Sequence, residues 1–467
     1  MKLLSLTFIP AFICNALKIN LRHCFAILYL LYHPVNYAQS IPDTLKESIS
    51  LKECLNYALR QQPALQQARI DELITEKNID SRLADWLPAV SFNYNLVHYY
   101  ELPTSVLPNF SDPESGQKIT IKTGVENTSS LGFSATQNIF NRDIFLSLRS
   151  ARELRKASNQ NTVQNTIQVI VNVSKAFYDV LLSQEQLKVL DEDIVRLQQN
   201  KKDTYSKYQN GITDKTDFKQ AAIALNNIMA QRKQQLEQVK LKHAVLKETM
   251  GFTENKKLHL VYDTLKIEKD LEIDTTQILN YDNRIEYQEL QTQQRLSQYN
   301  VLYQKLSFAP AVSLFANYNI LYYNDQLSDL YNNSFPNSLA GIQLSLPLFQ
   351  GTKRLQNIRL AQLQLNRMDW DKIALEKQMN SEYVQSLGAY KGFLNEWKLQ
   401  KENVEMAKDV YQVVMLQYNS GIKTFLDVTV AETDLRTAEL NYLNALYQVL
   451  SSTLDVKKAI GIVNISP

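Results

Sequence analysis

Two short segments of the chain carry the same residue types at the same spacing. They are Tyr208-Gln-Asn-Gly211-Ile212 followed by Asp217, and Tyr418-Asn-Ser-Gly421-Ile422 followed by Asp427. Glycine readily ends a helix, and an aspartate just inside the next helix is favoured by the helix dipole by about 0.3–1 kcal/mol. Carboxylates that meet in a ring would also raise one another's pKa. The spacing therefore predicts two helix–turn–helix tips, each with a carboxylate whose role is structural or electrostatic.

Residues for covalent catalysis or metal binding are sparse. Of the three cysteines only Cys54 lies beyond residues 1–38, and the three histidines of that part, His98, His243 and His259, are far apart. No glycines are spaced as GxGxxG, GxxxxGK[ST] or GxSxG, so the usual phosphate cradles and the nucleophile elbow are absent. We therefore expect no enzyme, no catalytic residue, no metal site and no cofactor.

The composition narrows the class of protein. The 50 Lys and Arg residues are balanced by 48 Asp and Glu residues, which argues against a nucleic-acid binder. The 45% of hydrophobic residues allow a large core, yet a mean hydropathy of −0.29 leaves no room for many membrane-spanning helices. With only 11 glycines and 12 prolines, the chain is predicted to be mainly helical.

The first 38 residues differ from the rest. They hold basic residues, no acidic residue and an apolar run at Cys24–Leu31 behind Arg22. This pattern predicts a secretory signal peptide over 1–38, cut before Gln39. The alternative is a membrane anchor, but the run is shorter than the roughly 20 residues that span a bilayer. A mature exported chain would keep one cysteine, so packing rather than an intrachain disulfide must hold it.

The remaining sequence is an internal duplication. The two tip segments recur at an offset of 210 residues, and Met250-Gly251 recurs as Ile460-Gly461 at the same offset. Pro88-Ala-Val-Ser91 recurs as Pro310-Ala-Val-Ser313 at an offset of 222. Several landmarks in one order, with one loop absorbing the difference in offset, indicate a repeated unit.

Each copy is predicted to hold a half-length helix, a β-hairpin, a long helix and a return helix. The predicted bounds are 39–251 for the first copy, with its hairpin at 89–140, long helix at 142–208 and return helix at 214–250; 252–283 for a connector; 284–461 for the second copy, with its hairpin at 311–349, long helix at 351–418 and return helix at 424–460; and 462–467 for a C-terminal tail. At 1.5 Å per residue each long helix would be about 100 Å long. A half-length helix stacked end to end on a return helix would match that length.

The first long helix carries a sevenfold apolar pattern. Its members are Val173, Val180, Leu187 and Ile194, with Leu190 and Leu197 on the neighbouring row. A repeat of this kind predicts a coiled-coil-like seam, with polar residues on the remaining surface.

The strands alternate apolar and small polar residues. Apolar side chains occupy every second position from Val90 to Leu96, and Ser91, Asn93 and Asn95 fill the others. Strands of about ten residues with this alternation suit a bilayer-spanning sheet or a soluble amphipathic hairpin, and the alternation alone leaves both open. Four such strands cannot close a barrel in lipid, because open edges leave unpaired amides. Three copies would supply an even number of strands that closes.

These features together resemble the TolC-like outer-membrane factors of Gram-negative bacterial efflux and secretion systems. The residues that carry the resemblance are the two Tyr-x-x-Gly-x-x-x-x-x-Asp turns, the two Pro-Ala-Val-Ser strand entries, Leu346-Pro-Leu-Phe349 with Gly351, Asn441-Tyr-Leu-Asn-Ala-Leu-Tyr447 and Ala459-Ile-Gly461. The resemblance covers the whole mature chain, and the joint order of these motifs is more specific than any one of them.

The resemblance implies a fold that is mainly α with a small β part, in which the unit of helix, β-hairpin and long helix is duplicated. Three chains then form a 12-stranded outer-membrane β-barrel that continues into a periplasmic α-helical barrel. It implies a passive exit duct of a tripartite efflux system for small molecules. The expected partners are two further copies of the chain, a periplasmic adaptor (membrane fusion) protein, an inner-membrane transporter reached through that adaptor, and outer-membrane lipid.

The resemblance also places the two tips at the periplasmic entrance of the duct. The residues it assigns to the gate are Asp217, Asp427, Lys423, Tyr208 and Tyr418, and those it assigns to adaptor contact are Gly211, Ile212, Gly421 and Ile422. One position departs from the family, which often has another acid three residues after Asp427, where this chain has Val430. This difference weakens the expected ring of carboxylates. For the two tyrosines, packing between helices is an equal alternative.

Two other functions remain open from the sequence. A protein-secretion exit duct would have the same architecture, since cargo choice would lie largely in the partner pump. An exported coiled-coil scaffold without a pore belongs to a different class. Aromatic-rich strands of membrane length in both copies favour the duct, because a scaffold has no use for them.

Overall fold

The fold is described from a computed structural model. It describes residues 48–108, 116, 118–252, 258–261, 271 and 273–464. The signal peptide predicted at 1–38 lies outside these residues, as do parts of the predicted connector at 252–283 and of the predicted tail at 462–467.

The secondary structure follows the duplicated layout. In chain order the elements are β1 (Ser48–Ile49), α1 (Leu51–Gln61), α2 (Pro63–Ala84), β2 (Ala89–His98), β3 (Thr104–Pro108), β4 (Lys118–Lys122), β5 (Asn127–Phe140), α3 (Arg142–Gln209), α4 (Lys215–Met250), β6 (His259–Leu260), α5 (Ile285–Lys305), β7 (Ala311–Asn324), β8 (Ser334–Ser345), α6 (Lys353–Asn419) and α7 (Phe425–Ala459). Short 3₁₀ turns precede α5, follow it and connect β7 to β8.

The two long helices, α3 and α6, have 68 and 67 residues. The side chain of Asn141 begins α3 by accepting a hydrogen bond from the amide of Asp143 at 2.9 Å. The second long helix, expected from 351, begins at Lys353, because Gly351 adopts a left-handed turn with φ +60°. Of the described helices, none combines the length with the apolar character that crossing a bilayer requires.

The shorter helices stack end to end at two equivalent junctions. At the first, Gln62 Nε2 donates to the carbonyl oxygen of Thr249 at 3.1 Å, which joins the start of α2 to the end of α4. At the second, Arg284 Nη1 donates to the carbonyl oxygen of Ala459 at 3.2 Å, which joins the start of α5 to the end of α7. Gly251 ends α4 in a left-handed conformation. Each copy therefore sets one long helix beside a stacked pair, as the sequence predicts.

The apolar seam predicted along α3 forms only in part. Val173 and Val180 are fully buried, whereas Leu187 and Ile194 are half-buried. The neighbouring row makes the tighter contact, since Leu190 and Leu197 pack against Leu225 and Ile228 of α4.

The hairpins of the two copies join into one antiparallel sheet of order β2-β5-β7-β8. The register sets Phe92, Phe133 and Tyr318 in one row on the apolar face. The adjacent row on the opposite face holds Asn93 and, across the sheet, the residues Gly132, Asn319 and Asn337. Because side chains alternate along a strand, one residue of slip would exchange the two faces.

Two predictions about the sheet are wrong in detail. The hairpin predicted at 89–140 is not a single pair of strands, because the segment between β2 and β5 forms a second hairpin, β3–β4. The prolines of that segment are typical of a loop, and they obscure the short alternation of β4 in the sequence. The last strand, predicted to reach 349, ends at Ser345. Pro347 has no amide hydrogen to donate to a neighbouring strand, and Leu348 is 86% exposed.

Candidate functional site

The two predicted tips are left-handed glycine turns. In the first, the amide of Gly211 donates to Tyr208 O at 3.0 Å and that of Ile212 donates to Lys207 O at 2.9 Å. In the second, the amides of Gly421 and Ile422 make the matching bonds at 3.1 and 2.9 Å. The glycines have φ +69° and +76°. These bonds satisfy the last carbonyls of α3 and α6, so each long helix reverses within a few residues.

The second tip holds Asp427 in a capping box. Asp427 Oδ2 accepts hydrogen bonds from the Thr424 amide at 2.9 Å and the Thr424 hydroxyl at 2.7 Å, and Thr424 Oγ1 accepts from the Asp427 amide at 3.3 Å. Lys423 Nζ lies 3.4 Å from Oδ1 of the same carboxylate. The hydrogen bonds from Thr424, and then the charge of Lys423, hold the pKa of Asp427 below its usual range. Asp427 is thus both charged and tied to its own turn.

The first tip has the same backbone but different side-chain chemistry. Asp214 begins α4 without a capping hydrogen bond from its side chain. Thr213 stands at the position equivalent to Lys423. Within the described part of this single chain, Asp217 makes no side-chain hydrogen bond or ion pair. Its carboxylate is therefore available to groups outside the chain, whereas that of Asp427 is already engaged.

The two tip tyrosines also differ. The ring of Tyr418 packs edge-on against Phe425 with centroids 6.0 Å apart, and Lys207 Nζ lies 3.9 Å from its centre. Its hydroxyl is buried without a hydrogen-bond partner. Tyr208 is 37% exposed, and the packing partner of Phe218 at the first tip is Tyr205 instead. Tyr418 therefore links the two long helices through its contact with Lys207.

The structure brings only part of the predicted site together within one chain. Lys423 and Asp427 are in contact, and Ile212 and Ile422 are 69% and 73% exposed at the tips. Sequence reasoning missed Thr424, although Thr424-x-x-Asp427 is a readable capping pattern. It also missed Lys207, whose contact with Tyr418 has no local sequence signal.

A second polar cluster lies deeper between α3 and α7. Arg436 Nη1 lies 3.4 Å from the fully buried carboxylate of Asp193, which Arg196 also contacts. Asn200 Nδ2 donates to Glu432 Oε2 at 3.2 Å. The sequence carries a signal for this cluster. Asp193 and Asn200 are polar residues at positions that continue the apolar row of Leu190 and Leu197 along the seam.

Metal binding and thiol chemistry each place requirements on the described residues. Among the described residues, no three His, Cys, Asp or Glu side chains are placed to hold a metal ion. Burial raises the pKa of the Cys54 thiol to about 12, so it stays protonated.

A duplicated chain that joins half-helices, a four-stranded sheet and two long helical hairpins is the architecture of outer-membrane channels. The crystal structure of the Campylobacter jejuni CmeC outer membrane channel matches it over 88% of this chain and 85% of that one, with a TM-score of 0.69 and 17% identity. The open state of the Neisseria gonorrhoeae MtrE outer membrane channel matches over 88% of both chains, with a TM-score of 0.65 and 16% identity.

The sequence relationship agrees with the fold. The family profile of the outer membrane efflux proteins matches residues 54–251 and 280–462, and the chain belongs to that family. It is 21% identical over 345 residues to the outer membrane protein TolC of Vibrio cholerae, which covers 71% of this chain and 76% of that protein. It is 22% identical over 423 residues to the probable efflux pump outer membrane protein TtgC of Pseudomonas putida, over 85% of this chain and 83% of that one.

Proposed function

We propose that three copies of this chain form the exit duct of a tripartite efflux system. The duct passes small molecules through a 12-stranded barrel in the outer membrane and a helical barrel in the periplasm. It is a passive conduit without catalysis of its own. The observation that carries this proposal is a sheet with an apolar face and two open edges.

The open edges require partner strands. Among the strands that the structure describes, β2 and β8 each pair on one side only. An amide without a partner in hydrocarbon costs several kcal/mol, so a single chain cannot place this sheet in a bilayer. Val90 and Ile342 on the apolar face are each 72% exposed, and the four strands contain no Asp, Glu, Lys or Arg. Closure by three copies satisfies every edge and turns this face to lipid.

The helices support the same assembly. Large apolar side chains stand exposed along α2 and α6, among them Leu73 at 62%, Leu363 at 65% and Trp370 at 72%. Exposed apolar surface of this extent is typical of a face that another protein covers. Neighbouring copies of the chain would cover it by continuing the ring of helices.

The tips would form the periplasmic entrance. Three chains would bring six carboxylates, Asp217 and Asp427 of each, to one end of the helical barrel. The exposed Ile212 and Ile422, each beside its turn glycine, offer apolar contacts for a periplasmic adaptor, and that adaptor would link the duct to an inner-membrane transporter. Relatives named as toluene and antibiotic efflux pump proteins support small-molecule cargo over protein cargo.

The test is the assembly state of the mature chain. Outer membranes are extracted with detergent, and the native mass of the particle is measured before and after heating. We expect a heat-sensitive trimer in the outer-membrane fraction that forms conducting channels in planar bilayers. A monomer or dimer recovered without detergent would leave four unclosed strands and would support the scaffold instead.

A further inference from the structure

Charged side chains are buried between the two helical hairpins that end in the tips. Asp193 of α3 accepts hydrogen bonds from Arg196 of the same helix and, at 3.4 Å, from Arg436 of α7. Glu432 of α7 is 2% exposed and lies 3.8 Å from Nε of Arg196 through Oε1, while its Oε2 accepts a hydrogen bond from Asn200. The cluster therefore ties the first copy of the repeat to the second.

The cluster adds polar groups at the tip end of the seam. Farther from the tips the buried positions of α3 include Val173 and Val180, whereas toward the tips Asp193, Asn200 and Thr204 are buried beside two leucines. Polar residues at seam positions specify the register at a cost in stability. The hairpins are thus held together near the tips by polar groups whose strength depends on their charge.

The carboxyl groups of the cluster outnumber its guanidinium groups. Glu439 adds a third carboxyl to Asp193 and Glu432, against the two guanidinium groups. Burial, and then the Asp193 carboxylate, raise the pKa of Glu432 to about 7. Oε1 of Glu432 has no hydrogen-bond partner. The titratable and charged groups that face Glu432 or its partners are Glu192, Asp193 and Arg196 of α3, Lys408 and Tyr411 of α6, and Arg436 and Glu439 of α7.

We propose that Glu432, with Asp193, Arg196 and Arg436, is a proton-operated clasp between the two tip hairpins. When Glu432 is protonated, α7 packs against α3 and the tips stay close. When it is ionised, an uncompensated buried charge weakens the seam, so the tips separate more readily. At the entrance of the proposed duct, the clasp makes opening easier as the pH rises through neutrality.

The test measures the distance between the tips, so it does not depend on whether the assembled protein conducts. Spin labels are attached at Asn210→Cys and Ser420→Cys in the full chain, with Cys14 and Cys24 changed to serine and with Cys54 left buried. Labelled chains are diluted into unlabelled ones so that each distance lies within one chain. We expect the distribution to broaden to longer distances between about pH 6 and about pH 8.

Two variants and one control separate the clasp from general pH effects. Glu432→Gln should keep the short distance throughout that range, and Glu237→Gln, an exposed change on α4, should behave like the wild type. Asp193→Asn should lower the transition by about one pH unit, because it removes the carboxylate that opposes ionisation of Glu432. It provides the test if Glu432→Gln fails to fold. An unchanged transition in both variants, or a wild-type distance that ignores pH, would overturn the proposal.

Discussion

The ammonium nitrogen of Lys207 lies 3.9 Å from the centre of the Tyr418 ring. This contact joins the ends of two long helices that belong to different copies of the repeat. The ring also packs on Phe425, at the start of the return helix. This contact and the buried cluster around Glu432 both join the two helical hairpins. The tips are therefore held together at the boundary between these hairpins.

Lys207→Ala should loosen this boundary. A cation over an aromatic ring at a partly exposed site contributes about 0.5–1 kcal/mol, so the closed arrangement should be less populated by a few fold. We expect more frequent channel openings in planar bilayers. Tyr208→Leu is the control, because Tyr208 occupies the equivalent position in the first copy and is 37% exposed. Equal opening frequencies for wild type and Lys207→Ala would rule out a role for this contact.

Asp427→Ala should loosen the start of α7, because the carboxylate that accepts hydrogen bonds from the amide and hydroxyl of Thr424 is lost, although the amide of residue 427 can still donate to Thr424 Oγ1. Amides of the first turn of α7 should exchange with solvent faster, while those of α4 do not change in the same variant. Since the pKa of Asp427 lies below its usual value, the cap should be present at neutral pH and be lost as the pH falls through that lowered pKa.

The matched control for Asp427→Ala is Asp217→Ala, whose side chain takes part in no cap in this chain. Apart from the small contribution of the helix dipole, it should leave amide exchange at both tips unchanged. If the carboxylates also form the proposed entrance ring, Asp427→Ala should raise single-channel conductance. Unchanged exchange in the first turn of α7 would contradict the capping role, whatever happens to the conductance.

Gly461→Ala should destabilise the junction between the two stacked helices. A Cβ there would lie 2.6 Å from the carbonyl oxygen of Asn283, and the backbone has φ +76°. The left-handed conformation alone costs an alanine about 1–2 kcal/mol, and the close backbone contact adds to it. The thermal midpoint of the solubilised protein should fall.

Gly421→Ala separates these two effects. Gly421 has the same φ of +76°, but a Cβ at this position would stand in open space, with nothing to meet within 4 Å. Its midpoint should therefore fall less than that of Gly461→Ala. Equal losses would show that the contact with Asn283 contributes nothing.

Glu432 should make the stability of the helical part depend on pH. Its pKa is raised from 4.5 to about 7, so the folded state binds more protons than the unfolded state between these values. Stability should therefore fall as the pH rises through this range and level off above it, by on the order of 3 kcal/mol in total. Thermal unfolding of Glu432→Gln should lack this slope. A wild-type slope that persists in Glu432→Gln would assign it to other groups.

The two faces of the sheet should respond differently to the same charge. Phe92→Lys places a cation on the apolar face, where lipid exposure costs about 2–4 kcal/mol at the middle of the bilayer, so less assembled protein should reach the membrane. Asn93→Lys, one residue on, lies on the polar face and should assemble normally. Reversal potentials in a salt gradient should then shift toward anions. Similar losses of assembly for both variants would contradict the assignment of faces.

The parts of this protein that depend on local pattern could be predicted from its residues alone. The duplication, the glycine turns, the two long helices and the alternation of the strands follow from residue spacing, because the periods of helices and strands are properties of the backbone. The strand end at Ser345 was readable too, since Pro347 has no amide hydrogen to donate. Family membership followed from the order of these motifs.

Which distant side chains meet depends on how the helices pack. The contacts of Lys207 with Tyr418 and of Asp193 with Arg436 join residues more than 200 positions apart. They depend on how far one helix slides and rotates against another, which the local pattern of either helix leaves undetermined. Asp217 and Asp427 differ for a local reason instead, although they occupy equivalent positions in the repeat. Asp427 is held by the hydroxyl and amide of Thr424 in its own turn, whereas the first tip has Asp214 at that position and no such cap.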